Sequence, residues 1–133
     1  MNPRTEITPL SLKEAFAAEQ IRRDLARRAR EDAQRRQQEE DLFRAEELEG
    51  ALTADAAFLS EHGLTLDRRR YTVSLDHAEF RIGCYFEVGK ASVTASDKRT
   101  TLPGAAAPRK QETVDTVADA LRVMAQYLAD ETP

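Results

Sequence analysis

The side chains best suited to chemistry stand together at one point of the chain, where Asp76, His77 and Glu79 lie within four positions. Carboxylates and imidazole are common metal ligands. The flanking residues predict strands, however, and these three would then lie at the turn of a hairpin. Asp is favoured in turns because its carboxylate accepts hydrogen bonds from nearby backbone amides. The turn is the better interpretation, so we expect no metal and no cofactor.

The remaining reactive side chains also have structural explanations. Cys84 falls on the inward face of a predicted strand, where it would be a small core residue. His62 lies at a predicted helix end, where an imidazolium would face the negative end of the helix dipole. The sequence has no phosphate-binding glycine loop, nucleophile elbow or paired-cysteine zinc motif. We therefore predict that the protein is not an enzyme and has no small-molecule substrate.

Composition limits the environment and the partners. The 133 residues carry a formal net charge of −4, which gives no general attraction to nucleic acid or to anionic membrane. A single cysteine excludes an internal disulfide and is typical of a reducing compartment. Residues 1–10 read as a loop or disordered terminus without an apolar segment, so we expect no signal peptide. We expect a cytoplasmic protein without a membrane span.

The first predicted element is a long charged helix over residues 11–49, which contains neither Gly nor Pro. Ser11 and Glu14 have capping-box spacing and predict its start. We interpret the helix as an extended, coiled-coil-like arm held in its middle by ion pairs between residues four apart. Four apolar residues recur along it at mostly four-residue steps, which we take as a docking seam: Leu12, Phe16, Ile21 and Leu25.

Charge is segregated along this arm. Residues 22–36 have seven Arg against three acids, whereas residues 39–49 have six acids against one Arg. Two copies packed antiparallel would lay the basic part of each along the acidic part of the other. We therefore predict an antiparallel homodimer or docking to another protein, and a solvated helix with no partner remains the alternative.

Residues 50–133 predict a small α+β domain. A helix over 52–62 ends at Gly63, and strands follow over 70–76, 79–88 and 91–97, because apolar and polar residues alternate there. Two-residue turns at His77-Ala78 and Gly89-Lys90 would place Leu75 opposite Phe80 and Phe86 opposite Val93. A loop over 98–111 and a helix over 113–130, capped by Thr113, complete the predicted order α-α-β-β-β-α. The final helix would cover one face of a three-stranded meander.

A second stripe on the final helix comprises Ala120, Val123 and Tyr127. It lies beside the predicted core face and is suited to a partner or a second copy. Alternatively, it widens the contact of that helix with the core. We also note that a free meander has two edges, to which an extended peptide could add.

Lys and Arg residues in predicted loops indicate a different function, nucleic-acid binding. The order helix–three strands–helix over residues 53–130 resembles that of double-stranded-RNA-binding domains, in element order alone. Those domains have a basic cluster at the start of the last helix, where this sequence continues with Glu112 and Asp115. The favoured function is thus an adaptor, scaffold or assembly component, and the alternative is a small nucleic-acid-binding regulator that uses the basic loops and the Arg-rich half of the long helix. Its candidate contacts are Arg68, Arg69, Arg70, Lys98, Arg99, Arg109 and Lys110.

Overall fold

The computed structural model of the chain describes residues 11–99 and 107–132, so the predicted loop at residues 1–10 lies outside it. The fold class is α+β, as predicted, with a long N-terminal helix and an antiparallel sheet followed by a C-terminal helix. The elements are α1 (Leu12–Thr53), α2 (Ala56–Glu61), β1 (Thr65–Arg69), β2 (Thr72–Asp76), β3 (Phe80–Glu87), β4 (Lys90–Asp97), β5 (Ala107–Val114) and α3 (Val117–Glu131). The strands lie in the sheet in the order β1-β2-β3-β4-β5.

The prediction of three strands is wrong, since the described residues form five. The two additional strands, β1 and β5, are the edges of the sheet, and they pair antiparallel with β2 and β4. The predicted loop over 98–111 is corrected from Ala107 onward, while residues 100–106 lie outside the described part of the chain. With five strands in the described sheet, the order of elements no longer matches that of double-stranded-RNA-binding domains.

The turn between β3 and β4 is centred one residue earlier than predicted, at Val88-Gly89 instead of Gly89-Lys90. Both central residues have positive φ, 49° and 76°, as a type I′ turn requires. Phe86 consequently pairs with Ala91 and not with Val93.

A shift of the same size occurs between β2 and β3. Leu75 pairs with Ile82 and not with Phe80, because the connection is longer than the predicted two residues. The His77 amide closes it by donating to the Phe80 carbonyl at 2.9 Å. Both shifts change the partner by two residues, which leaves every side chain on its predicted face.

Local hydrogen bonds determine where the helices begin and end. The predicted cap at Ser11 is confirmed, because its Oγ accepts from the Glu14 amide at 3.1 Å. α1 then continues through Gly50 and ends at Thr53. Gly63 has φ 67°, and the Leu64 amide donates to the Leu59 carbonyl at 2.9 Å, as in a Schellman motif.

α3 begins later than predicted. Its N-cap is Thr116, whose Oγ1 accepts from the Asp119 amide at 3.0 Å. The predicted cap, Thr113, instead belongs to β5 and pairs with Ser92. The backbone of Thr113 is therefore extended, which prevents it from starting the helix.

The chain divides into two compact units, Met1–Arg36 and Gln37–Pro133. In the first, α1 is lined by ion pairs such as Glu19–Arg23 at 2.9 Å and Asp32–Arg35 at 2.8 Å. These pairs are exposed to solvent, so each one stabilises the helix only weakly. No helix in the described parts of the chain has both the length and the apolar character needed to cross a membrane.

The second unit holds the hydrophobic core, between one face of the sheet and the helices. The last turns of α1 belong to this core, so the arm predicted to run to residue 49 is incorporated into the second unit from Gln37 onward. The buried apolar residues are Ala45, Leu48, Leu52, Leu59, Leu64, Val73, Leu75, Phe80, Ile82, Cys84, Phe86, Ala91, Val93, Ala95, Ala120, Val123, Met124 and Tyr127.

Candidate interaction surfaces

The predicted docking seam is exposed in the structure. Leu12 is 86% exposed, and Phe16, Ile21 and Leu25 are between 60% and 63% exposed. Single exposed apolar side chains are common, but four large ones within fourteen residues of one helix are unusual.

These four residues do not form the single stripe that the sequence predicts. An α-helix turns by about 100° per residue, so a five-residue step leaves Phe16 and Ile21 about 140° apart. The structure has continuous helix at this point. The predicted seam is therefore corrected to two pairs on different sides of α1, Leu12–Phe16 and Ile21–Leu25.

The second predicted docking stripe is buried in the core. Ala120 and Val123 have at most 1% of their surface exposed, and Tyr127 has 7%. Burial also raises the pKa of the Tyr127 phenol, because it disfavours the charged phenolate. The prediction of a docking surface here is wrong, because α3 turns this stripe towards the sheet. Leu121 and Leu128, on the neighbouring side of α3, are only partly buried.

Because α3 faces the sheet with the buried stripe, an apolar groove is left beside α2 and α3, which we call the α2–α3 groove. Its volume is about 510 Å³, and Phe58 on α2 is 45% exposed beside it. The His62 Nδ1 lies 2.9 Å from the Phe58 carbonyl oxygen, and the two rings are 4.2 Å apart. Sequence periodicity did not predict this site, although Phe58 is a large apolar residue within the predicted helix over 52–62. The lining residues are Leu52, Asp55, Phe58, Leu59, His62, Leu75, Leu121, Met124, Ala125, Leu128, Ala129 and Thr132.

The basic residues predicted to contact nucleic acid are mostly paired with acids of the same chain. Arg70 places its guanidinium 5.1 Å from the centre of the Tyr71 ring, and Arg109 is exposed on β5. The ion pairs of the other five are Arg68–Glu49 at 2.6 Å, Arg69–Asp67 at 3.2 Å, Lys98–Asp76 at 2.8 Å, Arg99–Asp97 at 2.8 Å, Arg99–Glu131 at 2.6 Å and Lys110–Asp130 at 2.5 Å.

Asp76 illustrates how these pairs are built. Partial burial would raise the pKa of its carboxyl, but hydrogen bonds from Lys98 and Arg81 outweigh burial and lower that pKa. Lys98 also donates to the His77 carbonyl at 2.9 Å. This lysine therefore stabilises the hairpin between β2 and β3, and its charge is already compensated.

The cluster considered first for metal binding has other partners. The Glu79 amide donates to His77 Nδ1 at 3.0 Å, and the His77 ring stacks on Phe80 at 4.4 Å. The described residues contain no group of three or more His, Cys, Asp or Glu side chains arranged to hold a metal. Cys84 is buried, and burial raises the pKa of its thiol from 9.0 to about 12.

Asp41 has a buried carboxylate that sequence patterns did not predict. Asp41 is 5% exposed and accepts hydrogen bonds from the Val88 and Gly89 amides at 2.9 and 3.0 Å. Arg44 donates to the Gly89 carbonyl at 2.7 Å. The available signal was position, since Asp41 lies four residues before Ala45 on the buried face of α1. This carboxylate connects α1 to the β3–β4 turn and has a structural role.

Comparisons with protein-family models, with curated proteins and with solved structures find no match for this chain. A proposal for its function therefore depends on the exposed surfaces of the two units. These are the two apolar pairs on α1, the α2–α3 groove and the charged segments.

Proposed function

We propose that this protein is a non-enzymatic interaction module, acting as an adaptor, scaffold or assembly component that self-associates through α1. The observation that carries the proposal is the exposure of Leu12, Phe16, Ile21 and Leu25 in the first unit. A surface helix with no apolar contact normally has no large apolar side chains. Covering them removes apolar surface from water, which favours association by about 25 cal/mol per Å².

Charge supports an antiparallel arrangement of two copies. The basic segment 22–36 would lie along the acidic segment 39–49 of the other copy. In the acidic segment, Asp41 is buried, but four carboxylates remain exposed for this purpose: Glu39, Glu40, Glu46 and Glu47. A parallel pair would instead bring like charges together.

A charge reversal tests this proposal. The double substitution Arg27→Glu and Arg28→Glu should weaken the dimer at least tenfold in analytical ultracentrifugation, since it replaces attraction with repulsion. The matched control is Arg27→Lys with Arg28→Lys, which keeps both charges. Both arginines pair with Asp24, so circular dichroism must confirm that the helix remains. A dimer that is equally tight in both variants would contradict the antiparallel arrangement.

Nucleic-acid binding is the alternative function, and it has less support. Five of the seven candidate contacts already pair with acids in the described chain, as given above. Contacts to phosphates weaken log-linearly with salt concentration. Fluorescence anisotropy with duplex RNA and duplex DNA, measured over a range of salt, distinguishes the two functions. Tight binding with a steep salt dependence would favour the alternative.

A further inference from the structure

We infer that two antiparallel copies of α1 pack along one face of the helix, with Phe43 of each copy against Leu25 of the other. The inference rests on the proposed function, because it requires self-association, and it specifies the face and the register of the contact. Phe43 is 64% exposed and Leu25 is 60% exposed. A second copy that covers both side chains removes their apolar surface from water.

Leu25 and Phe43 fall on the same side of α1. They are eighteen residues apart, which is about five complete turns of an α-helix, and α1 is continuous between them. Leu48 and Leu52 pack in the core, and they follow Phe43 by five and nine residues. They therefore lie about 140° and 180° around the helix from it. Phe43 thus projects from the side of α1 that faces away from the core.

Three carboxylates surround Phe43 on this side. Glu39, Glu46 and Glu47 lie three or four residues from Phe43, so they are its neighbours on the helix surface. All three are exposed, and their side chains have no hydrogen bond or ion pair within the described part of the chain. An exposed aromatic ring among unpaired negative charges favours a partner surface with basic residues beside an apolar one.

The surroundings of Leu25 have this character. Arg22 and Arg28 lie three residues before and three residues after Leu25, and both are exposed. In its own chain Arg22 pairs closely with Glu19, whereas Arg28 reaches Asp24 at 3.5 Å. Arg28 is therefore the better placed of the two to pair with an acid of a second copy.

The antiparallel register with Phe43 beside Leu25 provides that acid. Residue 34 is the midpoint between the two, so residues equally far before and after it are level with each other in the two copies. Arg28 is then level with residue 40, one position from Glu39 of the other copy, or about 1.5 Å along the helix axis. By helix periodicity, Arg28 and Glu39 also lie on the same edge of the contact face.

Asp32 and Arg36 become exactly level in this register, and both lie within about 20° of the line through Leu25 and Phe43. Arg36 has no partner in the described part of its own chain. One Asp32 oxygen accepts from Arg35 at 2.8 Å, which leaves the other oxygen for Arg36 of the second copy. The centre of the contact thus contains two equivalent ion pairs related by symmetry.

A competing register, with Phe43 beside Ile21, brings like charges together. Its midpoint is residue 32, so Asp32 would face Asp32 of the other copy, and Arg28 would be level with Arg36. A parallel pair would align the three glutamates around Phe43 with the same glutamates of the other copy. Both arrangements replace attraction with repulsion.

Cross-linking between cysteines tests the register directly. Ala18 and Gly50 are exposed, they lie equally far from residue 34 on the contact face, and a side chain added at Gly50 meets no atom within 4 Å. In a Cys84→Ala background, a chain with both Ala18→Cys and Gly50→Cys should form a covalent dimer with a short bis-maleimide. Each cysteine alone should give at least tenfold less, as should Ala18→Cys combined with Gln38→Cys, an exposed position off the contact face.

A pair of glutamate substitutions tests the contact by mass. Phe43→Glu places a fourth negative charge among the three glutamates and removes the apolar ring, so we expect a dimer at least tenfold weaker in sedimentation equilibrium. Phe43 is exposed, so the fold itself should be unaffected. Gln38→Glu adds the same charge at an exposed position about 140° around the helix and should leave the dimer unchanged.

Each outcome has a distinct meaning. If the wild-type protein is monomeric at all concentrations, the proposed function and this inference both fail. If the wild type dimerises and Phe43→Glu dimerises as tightly as Gln38→Glu, α1 associates through another face, so the inference fails and self-association stands. If the double-cysteine chain forms no covalent dimer, or if the single-cysteine chains cross-link equally well, the antiparallel register is contradicted.

Discussion

The carboxylate of Asp41 on α1 accepts a hydrogen bond from the backbone amide of Val88, which is 47 residues further along the chain. The second oxygen of the same carboxylate accepts from Gly89. Both amides belong to a turn with two positive φ angles, where no cross-strand bond within the hairpin uses them. A buried side chain of the helix thus satisfies two backbone donors of the sheet and fixes the turn against α1.

Replacing this carboxylate should destabilise the second unit. In Asp41→Asn, the amide group offers only one oxygen, so one backbone donor loses its partner at a cost of about 1–3 kcal/mol. Urea unfolding followed by circular dichroism measures the change. Glu39→Gln removes the same charge from an exposed position two residues earlier and is the control. Equal stability of the two variants would show that the hydrogen bonds of Asp41 contribute nothing.

Val88 should be replaceable with a gain in stability. Its φ of 49° is unfavourable for a β-branched residue, whereas Asn tolerates this conformation and is favoured in type I′ turns. Val88 is 70% exposed, so little apolar contact is lost. We expect Val88→Asn to raise the free energy of unfolding by about 1 kcal/mol. Lys90→Asn, at a position without positive φ, should give no such gain in the same urea titration.

The stability of the fold should decrease at alkaline pH. Burial raises the pKa of the Cys84 thiol from 9.0 to about 12, so in this range the folded protein retains a proton that the unfolded chain has lost. The free energy of unfolding therefore falls as pH rises above about 9, and the thiol contributes no such loss below that pH. The pKa values of Tyr85 and Tyr127 are also raised and act in the same direction.

Cys84→Ala isolates the contribution of the thiol. The variant keeps both tyrosines, so urea unfolding from about pH 8 to about pH 11 should show a smaller loss of stability than in the wild type. Alanine also leaves a small cavity, which lowers stability at all pH values and does not affect the slope. An identical pH dependence in the two proteins would show that Cys84 ionises normally in the folded state.

The burial of α3 predicts a contrast between two aspartate substitutions. Val123 is 1% exposed, so Val123→Asp places a charge in the core and should cost several kcal/mol, enough to unfold the second unit. Ala118 is exposed in the first turn of the same helix, where Asp is favourable, so Ala118→Asp should melt at or above the wild-type temperature. Thermal melts that show similar stability for both would contradict this orientation of α3.

Local signals in the sequence predict several features correctly because each depends on neighbouring residues. The Ser11 cap needs only Glu14 three residues on, and Gly63 ends α2 because it adopts a positive φ. Alternation along β2, β3 and β4 assigns side chains to the correct face of the sheet. It does not determine register, because a shift of two residues pairs apolar with apolar equally well.

The features that were missed depend on partners far along the chain. β1 has Leu66 as its one partly buried apolar residue, and β5 contains Pro108 and charged side chains, so neither edge strand alternates apolar with polar residues in sequence. The α2–α3 groove exists because α3 packs with Val123 and Tyr127 inward, and periodicity alone allowed another rotation. The separation of Phe16 from Ile21 was, by contrast, available from their five-residue spacing.

The most direct test of self-association through α1 is the mass of the protein in solution, measured by sedimentation equilibrium over a range of concentrations. We predict that the wild type is dimeric and that Leu25→Glu is monomeric. Gln34→Glu adds the same charge to an exposed position nine residues on, about half a turn away around the helix, and should remain dimeric. A wild-type protein that is monomeric throughout, or a Leu25→Glu variant that dimerises as tightly as Gln34→Glu, would contradict the proposal.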